Sequence, residues 1–491
     1  MALENGSRGG LLRLLDLQSL TTASVLLTIV HILGLFAAID AIMKSRTSQG
    51  AIAWMMLLIL VPYLALPFYW IFGRSKFQGY VNTRRIRAKD IKEHTQTFRA
   101  VDPSVVADFH DNPKQLVFER LADFPYTHSN SIELLVDGEA TFDAIYEAIL
   151  NAKEYVLFQT YIFREDGVGK RFAHLLSQKA KEGVAIYFLY DEIGSYQLTR
   201  KFISELREAD IHVRAFHTTR GKGNRFQLNF RNHRKIVVVD GTFAAVGGHN
   251  FGDEYLGLSE RFGPWRDTHI KINGPAVQAV QWSFLEDWYW ASGDTVSVNW
   301  EETPAEEGNE IALVIPMGPA DTIETCGLFF VHAINSAKKR IWIASPYFVP
   351  DKQVICALQL AALRGCDVRI ILPERPDHLL VYLSSFHFIF ETAIADRISF
   401  YRYQPGFLHQ KVLLVDDDLA AVGTANLDNR SFRLNFEIMV PVVGNEFARS
   451  VEAMLEEDLK HCREVDPNEI QGRSFWFRLA VSASRLLSPV Q

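Results

Sequence analysis

His233-Arg234-Lys235-Ile236-Val237-Val238-Val239-Asp240 has a second copy in the same chain, His409-Gln410-Lys411-Val412-Leu413-Leu414-Val415-Asp416. A glycine and an asparagine follow each copy at matching distances, Gly247 and Asn250 in the first, Gly423 and Asn426 in the second. Four apolar residues separate lysine from aspartate each time, the pattern of a central strand buried on both faces. Side chains alternate along a strand, so His233 and Lys235 share one face, as do His409 and Lys411. Asp240 and Asp416 complete the motif at the strand ends and face away. They read as structural members that tie down a turn.

The duplication extends beyond the motif. Ala148–Lys153 leads into Tyr155-Val156-Leu157-Phe158 and Tyr161-Ile162-Phe163; Ala333–Lys338 leads into Ile341-Trp342-Ile343-Ala344 and Tyr347-Phe348. A helical stretch follows each, then Gly183 before Val184–Leu189 and Gly365 before Val368–Leu372. Helical patterns alternating with short apolar runs predict an α/β fold of two pseudo-symmetric lobes with mixed sheets, residues 131–296 and 312–470. Residues 297–311, with Glu301, Glu302, Glu306, Glu307 and Glu310, read as a solvated acidic linker without chemistry.

Ahead of the lobes, Leu17–Ile39 and Thr47–Gly73 carry no formal charge. Each run exceeds the ~20 residues a helix needs to cross ~30 Å of hydrocarbon. They predict a two-helix transmembrane hairpin over residues 1–75, followed by a juxtamembrane linker over 76–130. Arg74, Lys76, Arg84, Arg85, Arg87 and Lys89 follow the second run, against Lys44 and Arg46 in the turn, so the positive-inside rule predicts a multi-pass protein with its lobes in the cytoplasm. Residues 471–491, with Phe475, Trp476, Phe477, Leu479, Leu486 and Leu487 among arginines, form an amphipathic tail suited either to the membrane interface or to packing on the lobes.

Composition sets the outer limits. A hydrophobic fraction of 48% with 34 phenylalanines excludes a disordered chain. Cys326, Cys356, Cys366 and Cys462 have no metal-ligand spacing and read as free thiols in a reducing compartment. A net charge of -7 counts against a nucleic-acid coat, so no nucleic-acid partner is expected.

Two lobes meeting about a pseudo-twofold axis would gather two imidazoles, two ammoniums and two carboxamides, with no metal ligand set and no cofactor required. Such a donor-rich site fits transfer of a phosphodiester. Lys235, Lys411, Asn250 and Asn426 would hold the phosphate oxygens. One histidine attacks phosphorus, forming a phosphohistidine, while the other protonates the leaving alkoxide and then activates the acceptor alcohol. The candidate catalytic set is the duplicated motif itself: His233, Lys235, Asp240, His409, Lys411 and Asp416. His249, His269, His378 and His387 lack the duplicated spacing and read as structural.

At these residues the sequence resembles the phospholipase D superfamily, and within it the bacterial cardiolipin synthases. The strings carrying the likeness are Arg231-Asn232-His233-Arg234-Lys235, Gly247-Gly248-His249-Asn250-Phe251-Gly252-Asp253-Glu254-Tyr255 and Trp265-Arg266-Asp267-Thr268-His269 in the first half. In the second they are Pro346-Tyr347-Phe348-Val349-Pro350-Asp351, Phe407-Leu408-His409-Gln410-Lys411 and Gly423-Thr424-Ala425-Asn426-Leu427-Asp428-Asn429-Arg430-Ser431-Phe432. The resemblance implies a bacterial inner-membrane enzyme that turns two phosphatidylglycerols into cardiolipin and glycerol. It further implies His233 as nucleophile and His409 as general acid/base, although the near-symmetry makes that order reversible. Asp267 and Glu437 match the carboxylates that orient the histidines in relatives. Two departures stand out: Gly248 occupies a position where many members carry serine, and Ala393–Ile398 replaces an expected glycine turn. A membrane-bound phospholipase D hydrolase, or a synthase taking phosphatidylethanolamine as co-substrate, would use the same residues.

Overall fold

The computed structural model describes residues 5–45, 48–73, 101–216, 229–393 and 397–491. The N-terminal helices form one compact unit, and essentially all of the remaining described chain forms a second, α/β unit.

In the N-terminal unit, α1 (Asn5–Lys44) is followed by α2 (Ser48–Leu60) and α3 (Pro62–Phe72). The second apolar run is therefore not one continuous helix. Pro62 has no N–H, and its ring forces the residue before it out of the helical region, so Val61 sits at φ -139°, ψ 55°. Among the described residues one helical stretch, Thr22–Lys44, is long and apolar enough to cross a membrane, with a mean hydropathy of 2.3. The N-terminal helix of the expected hairpin is present, and the second apolar run forms two short helices. They pack closely: a Cβ on Gly34 would come within 2.5 Å of the Leu58 carbonyl oxygen. Ala37, Ala38 and Ala41 of α1 bury against Leu58, Ala65, Leu66 and Tyr69. The Tyr69 hydroxyl donates to Asp40 Oδ2 at 2.9 Å, which gives the charge within this apolar bundle a partner. The basic residues from Arg74 to Lys89 that set the expected orientation lie outside the described residues.

The α/β unit realises the duplication as topology. In the first lobe β2 (Tyr155–Thr160), β3 (Ala185–Asp191) and β4 (His212–Phe216) run parallel. On the other side of β2, β5 (Ile236–Val239), β6 (Phe243–Gly247), β7 (Thr268–Asn273) and β1 (Thr127–Val136) continue the sheet antiparallel. The second lobe repeats this order. Its parallel strands are β8 (Arg340–Ala344), β9 (Asp367–Pro373) and β10 (Ile398–Tyr403). Its antiparallel strands are β11 (Val412–Val415), β12 (Leu419–Gly423) and β13 (Asn435–Val443). The mixed sheets match the sequence expectation, and β5 and β11 are buried along their whole length, as their apolar runs require.

Three boundaries differ from the sequence reading. The strand β1 begins at Thr127, so a lobe starting at residue 131 would cut through it. Residues 101–126 are not merely a linker: Ala107, Phe118, Ala122 and Tyr126 belong to the core of the second lobe, with Phe329, Ile334 and Leu358. The helix α4 (Pro113–Ala122) carries that apolar face, capped by the Asn112 side chain on the Lys114 N–H at 3.1 Å. The acidic segment ends in a short strand, Glu310–Ala312, that pairs with both β1 and β13 and so joins the two sheets. Of Ala393–Ile398, residues 394–396 lie outside the described residues.

Candidate active site

The motif histidines sit where each lobe borrows a strand edge from the other. Arg231-Asn232, just ahead of His233, pairs in parallel with Asn435-Phe436 of the second lobe, and the His233 N–H donates to the Phe436 carbonyl at 2.9 Å. Phe407-Leu408, just ahead of His409, pairs in parallel with Trp265-Arg266 of the first lobe, and the His409 N–H donates to the Arg266 carbonyl at 2.7 Å. Each histidine is thereby delivered to a carboxylate on the opposite lobe. His233 Nδ1 lies 2.9 Å from Glu437 Oε2, and His409 Nδ1 lies 2.7 Å from Asp267 Oδ2. The crossing of the pairs is not visible in the spacing, which offers both carboxylates without partners.

Both carboxylates are fully enclosed, and each histidine keeps 7% exposure. Glu437 also accepts from Thr424 Oγ1 at 2.6 Å, Ser431 Oγ at 2.9 Å and Asn435 Nδ2 at 3.1 Å. Asp267 has fewer donors: the Thr268 N–H at 2.8 Å and the Trp265 indole at 3.4 Å. The difference explains Gly248. A Cβ there would stand 1.9 Å from Asp267 Oδ1, so the hydroxyl that Thr424 supplies in the other half-site has no room.

The lysines lie beside the histidines, as the alternation predicts. Lys235 Nζ donates to the His233 carbonyl at 2.7 Å, and Lys411 Nζ makes the equivalent bond to the His409 carbonyl. Lys235 also lies 5.5 Å above the Tyr161 ring, which meets His233 edge-on at 5.0 Å. Trp265 flanks His409 at 5.2 Å. Sequence reasoning misses these aromatic walls; the recurrence of Tyr161 as Tyr347 in the second copy is the available signal.

The four groups bear on one another's protonation across the two lobes. Burial pushes Lys411 down to about 8, with Asp267 and Glu437 opposing the shift, and pushes Lys235 well below its ordinary value. Burial lowers His233 to about 4, against the pull of Glu437 and with Lys235 and Lys411 adding to the drop. His409 is likewise held well below its ordinary value, by burial and then by Lys411, Lys235 and His233. Burial raises Glu437, but His233, Lys235 and Thr424 more than offset it, so it stays ionised. Each neutral imidazole then donates its Nδ1–H to a carboxylate and carries its lone pair on Nε2.

Asp240 accepts the backbone N–H groups of Lys153, Glu154 and Tyr155 at 2.7, 2.9 and 2.8 Å. Asp416 accepts those of Lys338, Lys339 and Arg340 at 3.0, 2.7 and 3.1 Å. Both anchor turns at the ends of their strands. Asn250 is a brace: its Oδ1 accepts from the Ile162 N–H and its Nδ2 donates to the Tyr255 hydroxyl, each at 3.0 Å. Asn426 donates its own N–H to the Ser431 hydroxyl at 3.0 Å, and its enclosed Oδ1 has no hydrogen-bond partner among the described residues. His249 and His269 are buried against each other, 3.2 Å apart at Nδ1, and both are lowered to about 3 by burial. Two buried ion pairs, Arg234 with Asp287 at 2.9 Å and Arg266 with Asp458 at 2.6 Å, brace the strand crossings, and Arg234 Nε also holds the Glu437 carbonyl at 3.0 Å. Among the described residues, no group of three or more histidine, cysteine or acidic side chains is placed to hold a metal.

The comparisons with known proteins agree with this geometry. A family model described as cardiolipin synthase, PLD-like domain, matches residues 145–288 and 330–459, one stretch in each lobe. A second, described as phospholipase D-nuclease N-terminal, matches residues 32–74. The chain is 46% identical over 469 residues to cardiolipin synthase A of Pseudomonas putida, covering 95% of this chain and 98% of that protein. It is 46% identical over 477 residues to cardiolipin synthase A of Pseudomonas fluorescens, with the same coverage of each. The crystal structure of phosphatidylserine synthase from Haemophilus influenzae superposes with a TM-score of 0.60 at 16% identity, over 77% of this chain and all of that one, which supports the α/β fold of two phospholipase D-like domains. With both lobes matched and near-complete relatives sharing almost half their residues, the chain belongs to the cardiolipin synthase family of phospholipase D-like proteins.

Proposed function

We propose that this protein is a membrane-anchored cardiolipin synthase, joining two phosphatidylglycerols into cardiolipin and glycerol. The observation that carries the reading is the crossed pair His233–Glu437 and His409–Asp267, enclosed together with both motif lysines. His233 Nε2 attacks phosphorus, and the bond to the headgroup glycerol breaks as His409 delivers a proton to the leaving oxygen. The phosphatidyl group rests on His233. The headgroup hydroxyl of a second phosphatidylglycerol then gives its proton to His409 and attacks phosphorus, releasing cardiolipin and free His233. One phosphodiester replaces another, so no nucleotide is needed.

The two carboxylates support this order of roles. Glu437 shares its charge among four donors and suits a neutral nucleophile, whereas the less-shared Asp267 is better able to steady a protonated His409. The bound phosphate supplies the missing negative charge that lets one imidazole take up a proton inside this cationic site. Lys235 and Lys411 stabilise the charge on the phosphate oxygens in flight, while Asn250, Asp240 and Asp416 hold the surrounding loops. The near-complete burial of both histidines supports transfer to an alcohol over loss to water.

On the anchor, α1 spans the bilayer, and α2 with α3 returns as the second, kinked arm. The basic residues from Arg74 to Lys89 favour a cytoplasmic α/β unit at the bacterial inner membrane. Incubating the purified protein with phosphatidylglycerol, with and without phosphatidylethanolamine, tests the reading. Cardiolipin and glycerol in equal amounts from phosphatidylglycerol alone is the expected result; phosphatidic acid would make it a hydrolase, and dependence on phosphatidylethanolamine would make that lipid a co-substrate.

A further inference from the structure

The last long helix of the chain has two apolar stripes, and the fold uses one. In α5 (Phe475–Arg485), Phe477, Val481 and Ser484 recur at helical spacing on the side that meets another helix, Leu379–Thr392. There Phe477 packs edge-on to Phe386 at 5.3 Å, and Arg485 reaches His387 Nε2 at 3.1 Å. At ~100° per residue, Phe475, Trp476, Leu479 and Leu486 fall on a neighbouring arc of about 100°. That arc has no cover among the described residues: Trp476 is 74% and Leu486 73% exposed, and Phe475, Leu479 and Leu487 are exposed beside them. Arg478 and Arg485 fill the remaining arc, and Arg473 precedes the helix. The helix under α5 adds exposed Leu379 and Leu380 at its start. These two leucines follow Asp377, which accepts the hydroxyl of Tyr347, the second-lobe counterpart of the tyrosine that walls His233.

We infer that the open stripe of α5, with Leu379 and Leu380, inserts shallowly into an anionic phospholipid surface beside the mouth of the active site. A helix with an apolar arc bearing tryptophan and leucine and a flanking arginine arc is the form that lies in a bilayer interface. The arginines complement the phosphate of an anionic lipid, and such a lipid is the substrate under the proposed function, on which this inference rests. The packed stripe fixes the helix to the second lobe, so insertion also brings that lobe's substrate entrance to the headgroup layer. Packing on the second lobe takes one of the two fates that the sequence allows for the tail, and the inference gives the other stripe to the membrane.

The test uses the full chain in vesicles. The exposed Cys356 is removed (Cys356→Ser), Leu479→Cys is labelled with an environment-sensitive fluorophore, and the protein is reconstituted in phosphatidylglycerol vesicles with brominated acyl chains. The expected result is a blue-shifted label quenched about twofold or more by the bromines, while a label at Glu307→Cys in the acidic segment is unaffected. An unquenched label at 479 overturns the inference, and a blue shift without bromine quenching does too, because it assigns the stripe to a second protein. Quenching reads insertion whatever the catalytic outcome, so a quenched protein that makes no cardiolipin would sink the proposed function alone. The double variant Trp476→Glu, Leu479→Glu should raise the KM for vesicle phosphatidylglycerol about fivefold or more. Its activity on dispersed short-chain phosphatidylglycerol should be unchanged; equal losses on both substrates contradict the inference.

Discussion

Glu437 holds His233 across the lobe boundary, with Oε2 2.9 Å from Nδ1, and Asp267 holds His409 across it in the other direction at 2.7 Å. Neither lobe contains a histidine together with the carboxylate that orients it. Under the proposed function the two copies of the motif act as one site, and damage to the carboxylate on one lobe should disable the histidine on the other.

Glu437→Gln puts this to the test with little change of volume. The amide can still meet Thr424 and Ser431, but it no longer selects the Nδ1–H tautomer of His233. The expected outcome is a loss of about 10³-fold in kcat at similar KM, with a melting temperature near that of the parent. Unchanged kcat would show that the contact is only structural.

Gly248 should tolerate no side chain. An added Cβ meets Asp267 Oδ1 at 1.9 Å, so Gly248→Ala must displace the carboxylate from His409. Activity should fall about 100-fold or more. Thr424→Ala, at the matching position, removes a hydroxyl and a methyl and adds no atom; it should lower kcat less than tenfold and cost about 1 kcal/mol of stability. Equal effects of the two substitutions would contradict the steric account.

Asp240 and Asp416 adopt positive φ, 51° and 53°, a region asparagine also tolerates. Asp240→Asn therefore isolates the carboxylate from the backbone shape. It weakens three backbone hydrogen bonds and should lower stability by about 1–3 kcal/mol while kcat of the folded fraction stays within a few-fold. Complete inactivation of a protein with an unchanged melting temperature would refute the anchoring role.

The pH profile carries a further prediction. Lys411 is depressed from 10.5 to about 8, so the free enzyme loses this ammonium as the pH rises through about 8. A falling limb in kcat/KM should appear there, and it should move to higher pH in kcat, because the bound phosphate favours the charged lysine. His233, at about 4, stays neutral down to well below pH 6 and should produce no acid limb near the ordinary histidine value. An alkaline limb near 10.5 in kcat/KM would contradict the buried, depressed lysine.

Much of this architecture is legible in the amino-acid sequence. The repeat, the burial of Ile236–Val239 and Val412–Val415, and the turn role of Asp240 and Asp416 all follow from strand periodicity, which is local. What stays hidden depends on contacts between distant segments. The exchange of Glu437 and Asp267 arises from pairing Asn435-Phe436 with Arg231-Asn232 and Phe407-Leu408 with Trp265-Arg266, and no spacing encodes it. Asn250 matches Asn426 in position, yet its neighbours Ile162 and Tyr255 turn its amide into a brace. Pro62 is visible inside the second apolar run; counting uncharged residues ignores the helix break that a proline imposes.

In the proposed mechanism His233 carries the phosphatidyl group while His409 moves the protons. A phosphatidyl ester of p-nitrophenol tests it directly, because its leaving group departs without an acid. Mixed with this ester, His409→Ala should release one equivalent of nitrophenol in a burst and then stall, for want of a base to activate the acceptor; His233→Ala should release none. A burst from His233→Ala with none from His409→Ala would contradict the account and reverse the two roles.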